Sequence, residues 1–590
     1  MAPVVGRGHP PGVALRRREA GAAHLPGLPE WLARVYARRR VGGAADLDYR
    51  LEHLARPQAL SGLSQALDIL EEAVMADARI MFVGDFDADG ATSCALGVGA
   101  LRQMGAPQVD YLVPNRFEFG YGLSPEIVGV AAVQQPDLLI TVDNGIGSHA
   151  GVLAAQQLGI TTIITDHHLP GESLPQADAI VNPNCRGDAF ASKSLAGVGV
   201  IFYVMLALRG RLRESGWFDQ AGLPEPRLAD FLDLVALGTV ADLVPLDRNN
   251  RILVSQGLAR IRGGRARPGI QALIEVAGRE PSRVGSRDLG FGVAPRLNAA
   301  GRLEDMTVGI ECLLAEDIEH ARRLAAQLDE INKKRREIQS DMARQAEEAV
   351  STLTLDAIPS GITLFDRSWH QGLVGLIAGR VSELTQRPVV AFAPASDTEL
   401  KGSVRSIGGI HIRDLLAAID VAHADVIEKF GGHAMAAGLS IRPERLGRFR
   451  ELFERFAGEL GANVLSETRV IDTDGPLDED DLTLDNARLL QVHGPWGQGF
   501  PEPLFDDTFE VLERVPVGSG FLRYRLRRRG GRKVVTGICF DPPREEMTPG
   551  DRPEIHAAYR LAVNDYGGRL SVQLILEHIF EAPSRQVALD

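Results

Sequence analysis

Cysteine is scarce in this chain of 590 residues: Cys94, Cys185, Cys312 and Cys539 lie far apart, and no C-x-x-C pair occurs. That excludes a disulfide framework and a cysteine-built zinc site, and it fits thiols kept reduced in a cytoplasmic protein. Aromatic residues are few, at 6%. The longest apolar stretch, around 198–208, falls well short of the about 20 residues a bilayer-spanning helix needs. The first residues hold prolines and arginines without an apolar core, so no secretory signal is expected. Neither G-x-S-x-G nor G-x-x-x-x-G-K-[ST] occurs, which removes the serine-hydrolase elbow and the phosphate loop of P-loop ATPases. Positive charge is in deficit too, with a formal net charge of −14. A uniformly basic nucleic-acid binder is thereby disfavoured, although local patches decide binding. Arg16-Arg17-Arg18, Arg38-Arg39-Arg40 and the stretch 523–533 are such patches, and each alone reads as solvated surface.

What the chain does have is acid in unusual places. Val83-Gly84-Asp85-Phe86-Asp87-Ala88-Asp89-Gly90 packs three carboxylates into five residues, after an apolar run and before a helical one. That is the exit of a strand, where open α/β sheets hold ligands. Two more apolar runs end alike, in Val142-Asp143-Asn144-Gly145 and Thr165-Asp166-His167-His168. An EF-hand calcium loop is ruled out, because its twelfth position is Leu96 and a β-like run precedes it. A single Asp after a strand would be a helix cap. Several of them, joined by a His pair, read as a divalent-metal site.

Length implies three to four domains, and 45% hydrophobic with 24% charged residues is ordinary for globular protein. Residues 75–245 alternate short apolar runs with helical patterns, which predicts a parallel sheet with strands near 79–83, 108–113, 138–142, 161–165 and 179–182. After Gly309 neither Pro nor Gly interrupts a helical pattern to about 352, predicting one helix of roughly 60 Å. A second α/β region follows, rich in glycine at Gly372–Gly375, in Gly402-Ser403-Val404-Arg405-Ser406 and in Gly431-Gly432-His433 through Gly438. Glycine lets backbone N–H groups approach phosphates, so Ser403, Arg405 and His433 are candidate nucleotide contacts. The tail alternates in β fashion, and Phe521-Leu522-Arg523-Tyr524-Arg525-Leu526-Arg527 puts Arg523, Arg525 and Arg527 on one side, with Phe521 and Tyr524 near them. A basic face on a small OB-type barrel is how such folds hold single strands. The expected division is an N-terminal extension (1–60), a parallel-sheet domain (61–307), a connecting helix (308–353), a glycine-rich α/β domain (354–462) and a β-barrel (463–590).

Carboxylate oxygens suit Mg²⁺ or Mn²⁺, and imidazole shifts the preference toward Mn²⁺. Two such ions about 3.5–4 Å apart clamp the attacking and leaving oxygens in phosphoryl transfer. Asp242, closing the apolar run 235–241, is the candidate fourth acid. Successive side chains of an extended backbone point apart, so His167 is assigned to metal and His168 to the scissile phosphate or leaving oxygen as general acid, beside Asp166.

Gly84-Asp85-Phe86-Asp87-Ala88-Asp89-Gly90, Val142-Asp143-Asn144-Gly145, Asp166-His167-His168 and Gly238-Thr239-Val240-Ala241-Asp242 resemble, in order, the four motifs of DHH phosphoesterases. Gly431–Gly438 resembles the glycine motif of the associated domain, and Gly494-Pro495-Trp496-Gly497-Gln498-Gly499-Phe500-Pro501-Glu502-Pro503 the entry to the OB domain of the family's exonuclease branch. The resemblance implies a 5′-to-3′ exonuclease on single-stranded DNA in recombination and repair. It implies metal roles for Asp87, Asp89, Asp143, His167 and Asp242, with Asp143 bridging, and phosphate contacts for Arg116, Arg302 and Arg405. Some members carry a His ligand where Val83 stands here, which leaves one ion to Asp85 or water. A helicase, a single-strand-binding protein and a monomeric state are also expected. The alternatives are a phosphodiesterase for short oligonucleotides or cyclic dinucleotides, a pyrophosphatase, and a non-catalytic DNA-binding scaffold. The first two need no basic barrel, and the last would be expected to lose metal ligands.

Overall fold

The computed structural model describes residues 4–5, 13–19, 21, 25–114, 122–351, 358–461, 469–518, 520–540, 542, 553–565 and 568–581. They form two compact units, one of residues 1–329 with 469–590 and one of residues 330–468.

The first unit opens with strand β1 (Val13–Arg17) and helices α1 (Glu30–Ala37) and α2 (Leu63–Met75). The βαβ region follows, with β2 (Ile80–Gly84), α3 (Ala88–Gln103), β3 (Val109–Leu112), α4 (Pro125–Ala132), β4 (Leu138–Val142), α5 (His149–Gln157), β5 (Thr161–Thr165) and β6 (Ala179–Val181). All five of these strands are parallel, in the order β3-β2-β4-β5-β6. Both faces are covered, which is why the strands read as unbroken apolar runs. Ile80 and Phe82 face the larger core with α2 and α3, whereas Met81 and Val83 face a smaller one with Ile127, Val128 and Val152 of α4 and α5. The chain leaves β2 for β3 on one side and returns to β4 on the other. The carboxyl ends of β2 and β4 therefore form the switch point where such sheets hold ligands.

Helices α6 (Gly197–Glu214), α7 (Leu232–Ala241), α8 (Arg248–Arg262), α9 (Ala294–Leu303) and α10 (Thr307–Leu314) complete this part. The long helix α11 (Ile318–Ser351) starts later than expected. After Leu314 the chain turns, and Asp317 accepts the His320 N–H at 2.8 Å, a capping contact that restarts the helix. Its 34 residues measure about 51 Å.

The second unit is built on β7 (Ile362–Phe365), α12 (Val374–Thr385), β8 (Val389–Pro394), β9 (Leu400–Arg405), α13 (Ile412–Ala422), β10 (Lys429–Gly432), β11 (Ala436–Ile441) and α14 (Leu446–Gly461). Its sheet runs β10-β11-β9-β8-β7, with only β7 and β8 parallel. Phe392, Phe449 and Phe453 anchor its core.

Back in the first unit, β12 (Arg469–Thr473) and α15 (Leu484–Val492) lead into a closed barrel. Its strands are β13 (Phe505–Val517), β14 (Phe521–Arg528), β15 (Val534–Cys539), β16 (Glu554–Asn564) and β17 (Ser571–Glu581), in the order β13-β14-β15-β17-β16. Along β14, Leu522, Tyr524 and Leu526 point into the barrel while Arg523 and Arg525 point out. Tyr524 is thus a core residue and not a stacking surface beside the arginines, because strand periodicity places it on the opposite face.

Much of the N-terminal basic charge is engaged in intramolecular ion pairs, of which Arg39 is buried while Arg16 and Arg17 stay partly exposed. β1 pairs in parallel with β12, and Arg16 meets Asp472 at 2.6 Å, Arg17 meets Asp506 at 2.8 Å and Arg39 meets Asp474 at 2.8 Å. Nearby, Tyr36 stacks on Trp496, Trp496 on Phe500, and the Arg251 guanidinium lies over Phe500. The 494–503 segment is the packing core between barrel and parallel-sheet region.

Candidate metal centre

Backbone register brings the acids together before any side chain is considered. Gly84 pairs with Val142 and Val142 with Thr165, so β2, β4 and β5 end level. Asp143 N–H continues the ladder to Thr165 O at 3.1 Å, and Asp166 N–H to Val181 O at 3.2 Å. Asp143 sits at φ 61°, a left-handed conformation that Asp tolerates better than most residues. Such strain in a fully packed loop is held where geometry matters. Gly145 follows at φ 110°, and a side chain there would strike Thr141.

Three overlapping groups result, each offering one donor atom per residue within 4.8 Å: Asp85, Asp87 and Asp143; Asp89, His167 and Asp242; Asp143, His167 and His168. His167 Nε2 lies 3.0 Å from Asp143 Oδ1 and 3.5 Å from Asp242 Oδ2. Asp143 and His167 thus each belong to two groups. Asp87 is both a cap and a group member: its Oδ1 accepts the N–H groups of Asp89 and Gly90 at the start of α3. Val83 is buried against α4 and α5 and offers nothing to the centre, while Asp85 stands with Asp87 and Asp143. Asp242 ends helix α7, where a helix dipole disfavours negative charge.

The electrostatics of the acids suit a cation-binding site. Burial and then the neighbouring Asp87 push the Asp89 carboxyl up to about 7. Burial, then Asp89 and Asp87, push Asp242 up to about 9 and hold Asp143 well above the carboxylate range. Carboxylates crowded this closely cannot all ionise without a positive partner. Oxygen donors with one or two imidazoles match Mn²⁺ or Mg²⁺.

Asp166 does different work. Burial favours its neutral form, but His168 beside it outweighs that and holds it below the usual carboxylate range. Its Oδ1 lies 2.8 Å from His168 Nδ1, and its Oδ2 accepts the Ile146 N–H at 2.9 Å. His168 in turn is pushed down by burial, but its hydrogen bond and charge contact with Asp166, together with Asp85 and Asp87, raise it above the ordinary imidazole value.

Several supporting residues carried no sequence signal strong enough to single them out. Both Asp89 oxygens accept N–H groups at the start of α6, from Gly197 at 2.6 Å and Val198 at 2.9 Å. A side chain at Gly197 would strike Asp143, and one at Gly238 would strike Thr92 and Asp89. Asn184 and Asn182 hold the carbonyls of His167 and His168 at 2.6 and 2.9 Å. Asn298 of α9 accepts the Ala88 N–H at 2.8 Å, and Gly301 lets that helix abut the Phe86 carbonyl. Arg302 follows in the last turn of α9, half-buried.

Arg116 lies outside the described residues. Ser403 and Arg405 lie in the second unit on β9, where Arg405 Nη1 donates to Ser403 Oγ at 3.1 Å and both stand against Gly375 at the start of α12. His433 occupies the β10–β11 turn, its N–H donating to Ala436 O. Of the barrel stripe, Arg527 is paired with Glu510 and Arg525 lies 3.6 Å from Glu513, both on β13.

The chain matches the DHH family, N-terminal domain, over residues 79–239, the DHHA1 domain over 358–459 and the RecJ OB domain over 473–578. It is 51% identical over 96% of its length to the single-stranded-DNA-specific exonuclease RecJ of Dickeya dadantii, 99% of which is covered. Two crystal structures of RecJ from Thermus thermophilus, in complex with Mn²⁺ and with Mg²⁺, superpose with TM-scores of 0.76 and 0.71. They share 30% and 28% identity with 96% of this chain, covering 81% and 79% of theirs. Level strand ends, crowded carboxylates and the closed barrel agree with these likenesses, and the chain belongs to the RecJ family of DHH phosphoesterases.

Proposed function

We propose that this protein is a metal-dependent exodeoxyribonuclease that degrades single-stranded DNA in the 5′-to-3′ direction, acting in recombination and repair. The observation that carries the reading is the cluster of acids and histidines at the switch point of the sheet, in a chain that also holds the barrel. An oligonucleotide phosphodiesterase would not require the barrel, and a binding scaffold would not require the crowded acids.

Asp85, Asp87, Asp89, Asp143, His167 and Asp242 would hold Mn²⁺ or Mg²⁺, with Asp143, which belongs to two groups, bridging a pair. When bound, the ions supply Lewis acidity that activates water and neutralises charge on the phosphate. Asp166 fixes the His168 ring and favours its charged form, leaving the other ring nitrogen to donate a proton toward a phosphoryl or leaving oxygen. Gly197 and Val198 fix Asp89, and Asn182 and Asn184 fix the His pair, so the centre is rigid before substrate arrives. Arg116, Arg302, Ser403, Arg405 and His433 contact nucleotide phosphates. No helix among the described residues is long and apolar enough to cross a membrane. The protein acts as a monomer in the cytoplasm, on strands opened by a helicase and coated by a single-strand-binding protein.

The test is digestion of single-stranded DNA blocked at its 5′ or its 3′ end, with Mn²⁺ and with chelator. Metal-dependent degradation stopped only by the 5′ block is expected. Strand binding without degradation of either substrate would favour the scaffold.

A further inference from the structure

Two aliphatic side chains stand exposed one residue away from His168 and Asp242 of the centre. Leu169 follows His168 and is 69% exposed; Leu243 follows Asp242, is 69% exposed and has φ 60°, a backbone strained for a leucine. A more conspicuous exposed residue lies in a turn packed on the end of α7. The turn Leu289–Val293 is a π-helical segment, a rare geometry often found at functional sites. At its centre Phe291 is 75% exposed. The turn packs on the end of α7, where the Cβ position of Gly290 lies 3.2 Å from Val240, two residues before Asp242.

The exposure of Phe291 is built in, because its base is fastened on every side. Arg296 holds the Gly292 carbonyl, the Val276 carbonyl at 3.0 Å and Asp329 at 2.7 Å. Ser286 Oγ donates to the Trp496 carbonyl at 2.5 Å, and Arg287 lies 3.4 Å from Glu502, which tie the turn to the entry segment of the barrel. The Arg287 guanidinium is 5.4 Å from the Phe291 ring centroid. A ring held rigidly in solvent contributes nothing to a core. Carried on a turn that packs on the end of α7 and is tied to the entry segment of the barrel, it suits the flat face of a base.

We propose that Phe291 is a stacking platform for a nucleobase of the single strand on its way to the metal centre. The inference rests on the exonuclease reading. Stacking reads no sequence, so the platform would position any strand and admit only unpaired bases. It orders the chain beside the scissile phosphate while the charged residues do the chemistry.

The test compares Phe291→Ala, Phe291→Leu and Phe291→Trp with the native protein in Mn²⁺-supported digestion of a single-stranded oligonucleotide. Phe291→Ala should raise KM about tenfold, Phe291→Leu by less, and Phe291→Trp should restore it. The decisive readout uses oligonucleotides lacking one base, with the gap scanned along the digested end. At one position the Phe291→Ala penalty should vanish, because the native ring has lost its partner too. An unchanged KM in Phe291→Ala, or a penalty that ignores every missing base, would overturn the platform while leaving the exonuclease standing. A native protein that digests no single strand would overturn the exonuclease reading, and the platform with it.

Discussion

Aspartate is used in two opposite ways in this molecule. At the metal centre Asp89 and Asp143 are buried with Asp242 half-buried beside them, and burial with like charge raises all three. At the seam between the N-terminal strand and the barrel, Asp474 is just as buried, yet it is met on both oxygens by Arg39, and Arg18 and Arg38 also reach it. Asp506 there is pushed up by burial, but hydrogen bonds from His556, Arg17 and Thr473 hold it well below the usual range. Asp89 and Asp143 match Asp474 and Asp506 in residue type and burial; only the sign of the neighbours differs. A protein tolerates crowded like charge where a ligand will compensate it, and matches charge where nothing else will come.

The largest expected effect removes the shared acid of the centre. Asp143→Asn keeps the size and the left-handed backbone preference but deletes the charge, and turnover should fall at least about 10²–10³-fold. Melting in chelator should not fall, because a repulsive charge has gone. Normal turnover in this variant would remove Asp143 from the bridging position. At the seam the opposite holds: Asp474→Ala strands the Arg39 guanidinium, whose side chain is 1% exposed, and should cost about 3–5 kcal/mol of stability measured by denaturant unfolding. An unaffected midpoint would show that the ion pair is not what joins the N-terminal strand to the barrel.

The same contrast predicts opposite pH dependences. At the centre the folded pKa values lie above the unfolded value of about 3.9, so the metal-free protein binds extra protons when folded and loses stability as pH rises from there, until about 7 for Asp89 and about 9 for Asp242. Mn²⁺ should cancel that loss, and in chelator Tm should drop by about 2–4 °C per kcal/mol lost. Asp506 has the reverse sign. Its stabilisation is present above the unfolded pKa and disappears as acid protonates it. A melting curve that shows no chelator-dependent slope between pH 6 and pH 9 would break the account of the centre.

How much of this was legible in the sequence follows from which signals are local. Strand ends carrying Asp85 to Asp89, Asp143 and Asp166 to His168 were readable, because apolar run, acid and helix lie within ten residues of one another. The partners that make the site rigid were not: Asn298 reaches Ala88 across 210 positions and Gly197 reaches Asp89 across 108. Nothing near Asn298 betrays that contact. The basic patches misled for the same reason, since the carboxylates that neutralise Arg16, Arg17 and Arg39 lie more than 400 residues away. The late start of the long helix hung on one capping contact at Asp317, a weak signal beside the helical pattern on both sides of it.

The smallest expected effect sharpens the comparison on the barrel, where a basic stripe is partly matched and partly open. Arg527 is held by Glu510 and Arg525 stands 3.6 Å from Glu513, whereas Arg523 is exposed opposite Val515 and Ile538, neither of which can neutralise it. A guanidinium already paired must give up its carboxylate before it meets a phosphate, so the three are not equivalent contacts. Replacing Arg523, Arg525 and Arg527 together by Ala should weaken strand binding and flatten its salt dependence, but by nearer one released counterion than three. Arg523→Ala alone should account for most of that change. Glu510→Gln with Glu513→Gln should do the reverse, freeing two cations and steepening the slope. If the triple variant binds with an unchanged slope, the stripe is not on the strand's path. If the Glu variants steepen nothing, the pairing is incidental and the barrel's charge pattern serves solubility alone.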